Sequence, residues 1–427
     1  SRHAALSGSQ LKPPALPGED GHVKVLVIGV GFAGACAARA LRDGGADVQI
    51  VEAGGQPGGM LRTLRTPEGL PYEYGPRVIS VFRGTQDIFP FLRPFADLQP
   101  RDIYQGTRLL PSYPIIPFPI DRESLGRLPC GHTIAREWAE LQRTARAPDE
   151  TNLRTYLESS VGPTLTRLAF EGFNQKLWGL ALEDMPASWG RLRRLHRIAV
   201  SGTFRLPSQA PHYYPRGGFE PVFDRMLAGF DVRYGVSVRE VTADGTGVRV
   251  RYDATSEAYD AVVSTAPLDA IFGHRLGPLS WSGYRIEVEI VSGTQDLGRA
   301  PDHVPFAWVY TPGHDTPVCR TTDFGVIHGG VGRDRSEPHV VLREIPDPRV
   351  KMYPVWWEAE RSRAYLELAA AIPGLIPLGR LGMYKYLTTD STLAMVQRFV
   401  ERFEAYLAGD RAERMRLLNE IRGTWAD

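Results

Sequence analysis

Between Val23 and Glu52 the chain changes from a continuous apolar run to a helical spacing and back to an apolar run. Val25 to Ile28 show no polar alternation, which is typical of a parallel strand buried on both faces. Ala35 to Leu41 are good helix formers, and a second strand-like segment ends at Glu52. The pattern therefore predicts a strand, a helix and a second strand in direct succession.

Three glycines in the turn of this unit indicate what it binds. Gly29, Gly31 and Gly34 form a G-x-G-x-x-G motif, and Glu52 follows about 20 residues later. The glycines permit a tight turn, a close approach of pyrophosphate and close helix packing, and the acid can accept from a ribose hydroxyl. We therefore predict a Rossmann-type unit that binds a dinucleotide.

Helical spacing dominates the middle of the chain. Apolar residues recur at intervals of three and four from Arg122 to about Arg197, which predicts a helical insertion. The stretch before it, Pro111 to Ile120, is too rich in proline for a central strand and predicts an extended edge or a crossing linker. Strand-like segments follow at Val232 to Val250 and Ala261 to Ser264, and the second should return to the first sheet.

Alternating segments later in the chain predict a second, antiparallel sheet. Leu378 to Tyr386 is interpreted as a strand or turn, with helices before and after it. The predicted strands are Ile286 to Val291, Phe306 to Tyr310, Val318 to Thr321 and Val340 to Glu344, and the helices are Arg361 to Ala371 and Ser391 to Leu407.

The elements together predict an α/β fold, with a Rossmann-type domain, a helical insertion and a second antiparallel sheet. A chain of 427 residues suggests two or three domains at about 150 residues each. Residues 1–21 contain proline and glycine without periodicity and are expected to be a disordered leader. The predicted domains are a discontinuous Rossmann-type domain of residues 22–90, 208–280 and 372–410, a helical substrate- and base-binding domain of residues 91–207, and a sheet domain of residues 281–371.

Composition excludes several classes of partner. A net charge of +1 provides no basic field for nucleic acid or an anionic membrane. The sequence has no apolar stretch near the ~20 residues that a membrane span needs. Cys36, Cys130 and Cys319 lie far apart and form no metal-binding or redox motif, so a reduced, cytoplasmic location is expected.

Scattered motifs along nearly the whole chain after the leader resemble those of the UDP-galactopyranose mutases. These flavoenzymes interconvert the pyranose and furanose forms of a nucleotide sugar. The segment EGFNQKLWG resembles the helical segment that holds the nucleotide base, and Arg320 resembles an arginine that grips the diphosphate. Other similar motifs contain Pro215, Gly217 and Gly218, then Pro267 and Asp269, then Tyr353 and Pro354, and finally Gly379, Arg380, Leu381, Tyr384, Lys385 and Tyr386.

The resemblance implies a role for specific residues of this chain. FAD would be bound by Gly29, Gly31, Phe32, Gly34, Glu52, Gly58 and Gly59. The substrate would be bound by Phe173, Asn174, Trp178, Tyr353, Tyr386, Arg320 and Arg380, and the catalytic set would comprise Arg320 and Arg380 with Arg191 or Arg193.

The residue types suit such a substrate independently of the resemblance. Arg320 and Arg380 can each offer a planar fork to phosphate oxygens. Phe173 and Trp178 lie five positions apart, and either could stack on a base. Buried aromatic residues are more often part of a core than a ligand platform, so both interpretations stay open here.

Three segments depart from the family pattern. Pro76, Arg77 and Ser80 replace residues of a motif whose histidines lie beside the flavin ring in the family. Thr388 and Thr389 replace another pair that contacts the flavin. The family's active-site arginine aligns on Leu192, so that only a shift of one position brings Arg191 or Arg193 into its place.

These departures leave two cofactor hypotheses. The first is FAD, which would supply the chemistry as it does in the family. The second is loss of the flavin and recruitment of a divalent metal, Mg²⁺ or Mn²⁺, on the substrate diphosphate. The metal ligands cannot be named from the sequence.

The leading functional hypothesis is an isomerase of carbohydrate biosynthesis that acts on a nucleotide-diphosphate sugar. The substrate would resemble UDP-galactose, with a galactofuranose-like product. Asn174 stands where the family has a threonine near the base, so another base or sugar, such as a GDP-sugar, is compatible. The alternatives are a flavin-dependent oxidoreductase of the amine-oxidase type and a non-catalytic sugar-nucleotide-binding protein. A homodimer is left open.

Overall fold

The computed structural model of the chain describes residues 23–80, 89–144, 146–193, 212–253, 255–292, 297–299, 303–330 and 336–423. The leader predicted at residues 1–21 lies outside these ranges, as does the last part of the predicted helical insertion after residue 193.

The described strands and helices follow one another in an irregular order along the chain. The strands are β1 Lys24–Ile28, β2 Asp47–Glu52, β3 Leu64–Arg65, β4 Pro71–Tyr72, β5 Ile79–Ser80, β6 Leu98–Arg101, β7 Gln105–Thr107, β8 Ile116–Phe118, β9 His212–Pro215, β10 Val232–Tyr234, β11 Glu240–Asp244, β12 Gly247–Arg251, β13 Ser256–Tyr259, β14 Ala261–Ser264, β15 Trp281–Ser282, β16 Tyr284–Val291, β17 Trp308–Tyr310, β18 Arg320–Asp323, β19 His339–Pro346, β20 Tyr353–Pro354 and β21 Leu375–Pro377. The helices are α1 Phe32–Asp43, α2 Phe89–Leu92, α3 Arg122–Gly126, α4 Gly131–Thr144, α5 Leu153–Val161, α6 Pro163–Leu165, α7 Gly172–Trp178, α8 Ala187–Leu192, α9 Glu220–Met226, α10 Phe324–Gly329, α11 Ala359–Ala370, α12 Gly379–Gly382, α13 Thr389–Ala408 and α14 Arg411–Arg422, with a π-helical turn at Thr166–Glu171.

A parallel sheet of five strands lies at the centre of the first unit, in the order β10-β2-β1-β14-β21. Every neighbouring pair in it is parallel, and β14 lies beside β1 as the sequence predicted. Helices α1 and α13 pack against each other, and the residues of β1 and β14 are almost completely buried. The Rossmann-type architecture is therefore confirmed.

The second large sheet has six strands in the order β16-β19-β18-β17-β7-β8. Its pairs are antiparallel except that β7 runs parallel to β17. Strand β8 lies at the edge, so the first of the two alternatives predicted for Pro111 to Ile120 holds for Ile116–Phe118. Because β7 and β8 come from residues 105–118, the segment assigned to the helical domain also contributes to this sheet; the domain boundaries themselves stay a prediction.

A helical layer formed by α3 to α8 encloses a second hydrophobic core. The helices predicted in this region are confirmed as far as residue 193. The interpretation of Leu378 to Tyr386 as a strand or turn is wrong in part, since the strand ends at Pro377 and Gly379 begins the short helix α12. Gly379 has a φ of +78°, which bends the chain sharply at the end of the parallel strand.

Gly34 provides a test of the predicted role of the third glycine. A Cβ atom at this position would lie 2.0 Å from the carbonyl oxygen of Gly29, so Gly34→Ala forces α1 away from β1. We expect the free energy of unfolding to fall by about 1–3 kcal/mol, as for other overpacked sites. Urea unfolding followed by circular dichroism measures the loss.

Gly126→Ala is the matched control, because nothing lies within 4 Å of a Cβ atom built there. It should change stability by less than about 1 kcal/mol. Equal losses in the two variants would show that the close approach of α1 is not what requires glycine.

Candidate active site

One cleft of about 670 Å³ joins the glycine turn of the parallel sheet to the six-stranded sheet. Its volume lies within the range of about 300–1,000 Å³ that is usual for ligand sites. One end is formed by the turn after β1 and the end of β2, and the other by strands β17 and β18 and the segment that follows α12. The cleft therefore brings together most of the residues that the sequence singled out.

At the end of the cleft near the turn after β1, the lining consists largely of glycine backbone. Gly29, Gly31, Gly58 and Gly59 line the cleft, and Gly31 forms an isolated β-bridge with Gly58. A Cβ atom at Gly59 would lie 3.1 Å from the Cα of Gly31, so any side chain would fill the space between the two turns. Phe32 lines the cleft at the first turn of α1, where the N–H groups of a helix N-terminus suit an anionic ligand.

Glu52 bonds to the backbone beside the four glycines Gly29, Gly31, Gly58 and Gly59, which together form the glycine cradle. Its carboxylate accepts hydrogen bonds from the backbone N–H of Val30 at 2.9 Å and of Gly54 at 2.7 Å, and it also lines the cleft. A carboxylate has about four lone-pair sites, so two backbone bonds leave acceptor capacity for a ribose hydroxyl. The predicted ribose contact is compatible with this geometry and stays a prediction.

The cradle fits the ADP part of FAD, because backbone occupies the positions where side chains would exclude a pyrophosphate. Beyond it the cleft is lined by the segments that depart from the family pattern. Thr388 is the N-cap of the 20-residue helix α13 and Thr389 is its first residue, and the backbone N–H of Thr388 donates to the Ser391 hydroxyl at 2.7 Å. Pro76, Arg77 and Ser80 also line the cleft.

Arg320 lies in the cleft but is held by a buried acid. Its Nε and Nη2 atoms donate to both carboxylate oxygens of Glu344, at 2.5 and 2.8 Å, and Glu344 is completely buried. The pair leaves only the Nη1 edge of Arg320 for a ligand. Removal of Arg320 would leave the Glu344 carboxylate buried without its partner, which typically costs about 3–5 kcal/mol.

Tyr353 occupies the middle of a group of cations. Its hydroxyl lies 2.9 Å from that of Tyr284 and 3.4 Å from Nη2 of Arg77. Burial opposes ionisation of the Tyr353 phenol, but Arg77, Arg320 and Arg380 outweigh it and lower its pKa from about 10 to about 8. Burial and the Glu344 carboxylate raise the pKa of Tyr284 instead, so that Tyr284 keeps its proton.

Arg380 and Arg193 complete the cluster. Arg380 lies over the rings of Tyr353 and Tyr386, with its Cζ 5.1 and 5.4 Å from their centroids, and the two rings stack at 5.8 Å. Burial lowers the pKa of Arg380. Arg193 lies 5.9 Å from the Tyr386 ring and lines the cleft.

Arg191 is placed elsewhere. Its side chain is half-exposed and forms an ion pair with Glu150 on the surface of the helical layer. It does not line the cleft. Of the two arginines that the sequence left open, the structure therefore brings Arg193 to the site.

The base-binding prediction is not supported for Asn174 and Trp178. Asn174 is 1% exposed. Its Nδ2 donates to the carbonyl of Phe170 and its Oδ1 accepts from Nε1 of Trp189, each at 2.8 Å. Trp178 is 5% exposed and packs edge-on against Trp189 and Trp357 in the second hydrophobic core. Neither residue lines the cleft, because the apolar face of α7 is used to hold the helical layer together.

Phe173 is half-buried, and its nearest ring partner is Tyr310, at 5.3 Å in an edge-on arrangement. Phe173 does not line the cleft but supports Tyr310, which does. Its predicted contact with the base stays a prediction, and the structure gives Phe173 only an indirect route to the cleft, through Tyr310.

Several cleft residues were missed by the sequence analysis. His212, Gln105 and Trp308 line the cleft, and Tyr284 and Glu344 form the layer beneath Arg320 and Tyr353. They come from strands far apart in the chain, so that no local motif marks them. Trp308 and Glu344 lie in segments that the sequence predicted to be strands, whereas Gln105, His212 and Tyr284 lie in no predicted element.

A metal-binding cluster is not found in the described ranges, since they contain no group of three or more His, Cys, Asp or Glu side chains placed to hold a metal ion. Within the same ranges, every helix is too short or too polar to cross a membrane.

Comparisons with known proteins identify similar chains. Residues 32–283 match the family model of flavin containing amine oxidoreductases. The chain is 21% identical over 395 residues to a probable UDP-galactopyranose mutase of Klebsiella pneumoniae, covering 90% of this chain and 95% of that one. It is 23% identical over 389 residues to dTDP-fucopyranose mutase of Escherichia coli, covering 86% and 94%. A solved structure of reduced UDP-galactopyranose mutase matches with a TM-score of 0.70 at 16% identity, over 94% of this chain and 99% of that one.

These matches confirm the resemblance to UDP-galactopyranose mutases that the motifs indicated, and nothing in them supports the metal hypothesis. The family model covers well over half of the chain, including the end of the glycine turn and the strand β14 that returns to it. The chain therefore belongs to the flavin containing amine oxidoreductase family.

Proposed function

We propose that this protein is an isomerase that interconverts the pyranose and furanose forms of a nucleotide-diphosphate sugar, with FAD bound in the glycine cradle. The observation that carries the proposal is that one cleft contains both the dinucleotide cradle and a cluster of Arg77, Arg193, Arg320 and Arg380. The names of similar proteins, which include two kinds of nucleotide-sugar pyranose mutase, support the same reaction class.

The arginine cluster suits a diphosphate. Among the described residues, Arg320 alone of the four has a carboxylate partner. Nε of Arg77 and Nη1 of Arg380 are buried without any hydrogen-bond partner in the described part of the chain. A buried, unpaired guanidinium N–H is costly, and two phosphate groups would satisfy both donors and neutralise two charges.

The same cluster argues against the amine-oxidase alternative. An amine substrate carries a positive charge at neutral pH, and four guanidinium groups would repel it from the cleft. The cluster also suits departure of a nucleotide diphosphate, because the arginines are already in place where negative charge develops. The other alternative, a non-catalytic protein that only binds the sugar nucleotide, would not require a second site for a dinucleotide cofactor.

The protein's own groups would assist the reaction in separate ways. FAD held in the cleft would supply, in its reduced form, the nucleophile for the anomeric carbon. Glu52, Gly31 and Gly59 would hold the ADP part of that cofactor at one end of the cleft. Arg380 and Arg77 would stabilise the departing diphosphate, and the Tyr353 hydroxyl would donate a hydrogen bond to it while it stays protonated.

The cofactor can be tested on the purified protein. We expect a yellow protein whose conversion of UDP-galactose, dTDP-fucose or a GDP-sugar requires a reductant such as dithionite and continues in EDTA. A colourless protein that ignores dithionite and loses activity in EDTA until Mg²⁺ or Mn²⁺ returns would contradict the FAD assignment and favour the metal hypothesis.

Replacement of Arg380 by Ala tests the diphosphate assignment. The variant loses charge-assisted contacts worth about 1.5–3 kcal/mol, so that the Kd for the nucleotide diphosphate should rise by about 10- to 100-fold. Isothermal titration with UDP and GDP measures the change. Arg191→Ala, which removes an arginine outside the cleft, should bind like the parent protein. Unchanged binding by Arg380→Ala would refute the assignment.

The pH dependence of diphosphate binding should report Tyr353. Because the cations lower its pKa from about 10 to about 8, the ligand-free protein gains a phenolate in the cluster as the pH rises through 8. That phenolate competes with the diphosphate for the same arginines, so affinity should fall above pH 8, by up to about tenfold per pH unit. In Tyr353→Phe the decline should disappear between pH 8 and 10. A decline of the same size in that variant would assign it to another group.

A further inference from the structure

Four buried polar atoms of side chains that line the cleft have no hydrogen-bond partner among the described residues. Two of them, Nε of Arg77 and Nη1 of Arg380, are charged and belong to the anion end. The other two, Nε1 of Trp308 and Nε2 of His212, are neutral and are not used by the diphosphate or the cradle. A buried neutral polar atom without a partner typically costs about 1–3 kcal/mol, so these two require an explanation.

Trp308 belongs to one wall of the cleft. It lies two residues from Tyr310 on β17, and alternate residues of a strand point to the same face, which is why both side chains reach the cleft. In the sheet register Trp308 pairs with Gln105 on β7, and Tyr310 pairs with Arg320 on β18. The wall therefore runs from the cation Arg320 to two neutral groups, the indole N–H of Trp308 and the amide of Gln105.

His212 presents a fixed imidazole. It pairs with Ser80 across β5 and β9, and its Nδ1 lies 2.7 Å from the Ser80 hydroxyl. That contact fixes the ring so that Nε2 is the atom left over. Burial lowers the pKa of His212 to about 4, so the imidazole is neutral at physiological pH.

We propose that Trp308, His212 and Gln105 form a neutral subsite that binds the hydroxyl groups of the sugar in the nucleotide-sugar substrate. The inference rests on the proposed function and identifies the residues that would select the sugar. Indole N–H is only a donor, and neutral imidazole offers one donor or one acceptor at Nε2. The Oε1 of Gln105 accepts from the Tyr310 hydroxyl at 3.5 Å, and its amide N–H groups can donate to a ligand. Sugar hydroxyl groups donate and accept, so they can satisfy all three, whereas a second phosphate group would be left without cations here.

The test compares a ligand with and without its sugar. Binding of UDP and UDP-galactose, and of GDP and GDP-mannose, is measured by isothermal titration on the parent protein and on Trp308→Phe and His212→Phe. Each variant removes one hydrogen bond to the sugar and should weaken binding of the sugar-bearing ligand about fivefold, with the affinity for the bare diphosphate within twofold of the parent. Retained diphosphate binding also shows that the variant is folded.

Trp178→Phe is the matched control, because the Nε1 of Trp178 is also buried without a described partner but lies outside the cleft. It should leave both affinities unchanged. Ser80→Ala, which frees the imidazole of His212, should weaken the sugar-bearing ligand less than His212→Phe does.

Three results would overturn the subsite. If a variant lost affinity equally for the bare diphosphate and for the sugar-bearing ligand, the replaced residue would not contact the sugar. Loss of bound FAD with an unchanged ratio of the two affinities would assign Trp308 and His212 to the hydroxylated chain of the cofactor. If the parent binds diphosphates but prefers none of the sugar-bearing forms, the subsite fails while the diphosphate assignment stands; if it binds neither kind of ligand, the proposed function fails as well.

Discussion

The site depends on how the chain accommodates several guanidinium groups in a partly buried cleft. Glu344 is the carboxylate beneath the cluster, and it has room there only because residue 75 is a glycine. A Cβ atom on Gly75 would lie 1.9 Å from the Glu344 carboxylate, and the chain turns there with a φ of +81°. Because Gly75 lies two residues before Arg77, the turn that leaves room for the acid also delivers the next cation to the cleft. A side chain at Gly75 would therefore disturb the charge balance of the site as well as the backbone.

The layer beneath the cations is formed by phenols rather than by further carboxylates. Tyr284 contacts Arg77 and Arg320 through its hydroxyl, and Tyr353 shares a hydrogen bond with it. Neutral phenols lower the cost of bringing arginines together without cancelling their charge, whereas a second acid would pair with them as Glu344 does with Arg320. The arrangement leaves the cluster cationic toward the cleft and hydrogen-bonded beneath it.

The sequence predicted the parts of the structure that are encoded locally. The glycine turn, the order of strands β1, β2 and β14 and the helices α11 and α13 follow from periodicity and turn chemistry. The tyrosines and arginines of the cleft were found through their resemblance to family motifs. Whether an aromatic side chain faces a ligand or a core depends on which helix face is covered, and the sequence of α7 could not show that Trp178 is enclosed by Trp189 and Trp357.

Contacts between strands that lie far apart in the sequence could not be predicted from local sequence patterns. The pairing of Ser80 with His212 joins residues 132 positions apart. The pairing of Trp308 with Gln105 joins one strand that precedes the helical layer in the sequence to another that follows it. Such pairs are set by sheet register, which depends on the whole fold. A single sequence contains no signal that assigns them.

Lys176 links the helical layer to the wall of the cleft. Its ammonium donates to three backbone carbonyls, those of Thr311, Gly313 and Val318, which belong to the loop between β17 and β18. Helix α7 and this loop are thereby fastened at one point, directly before the strand that begins with Arg320. Because one of these bonds lies two residues before Arg320, the position of the arginine depends on how α7 packs in the helical layer.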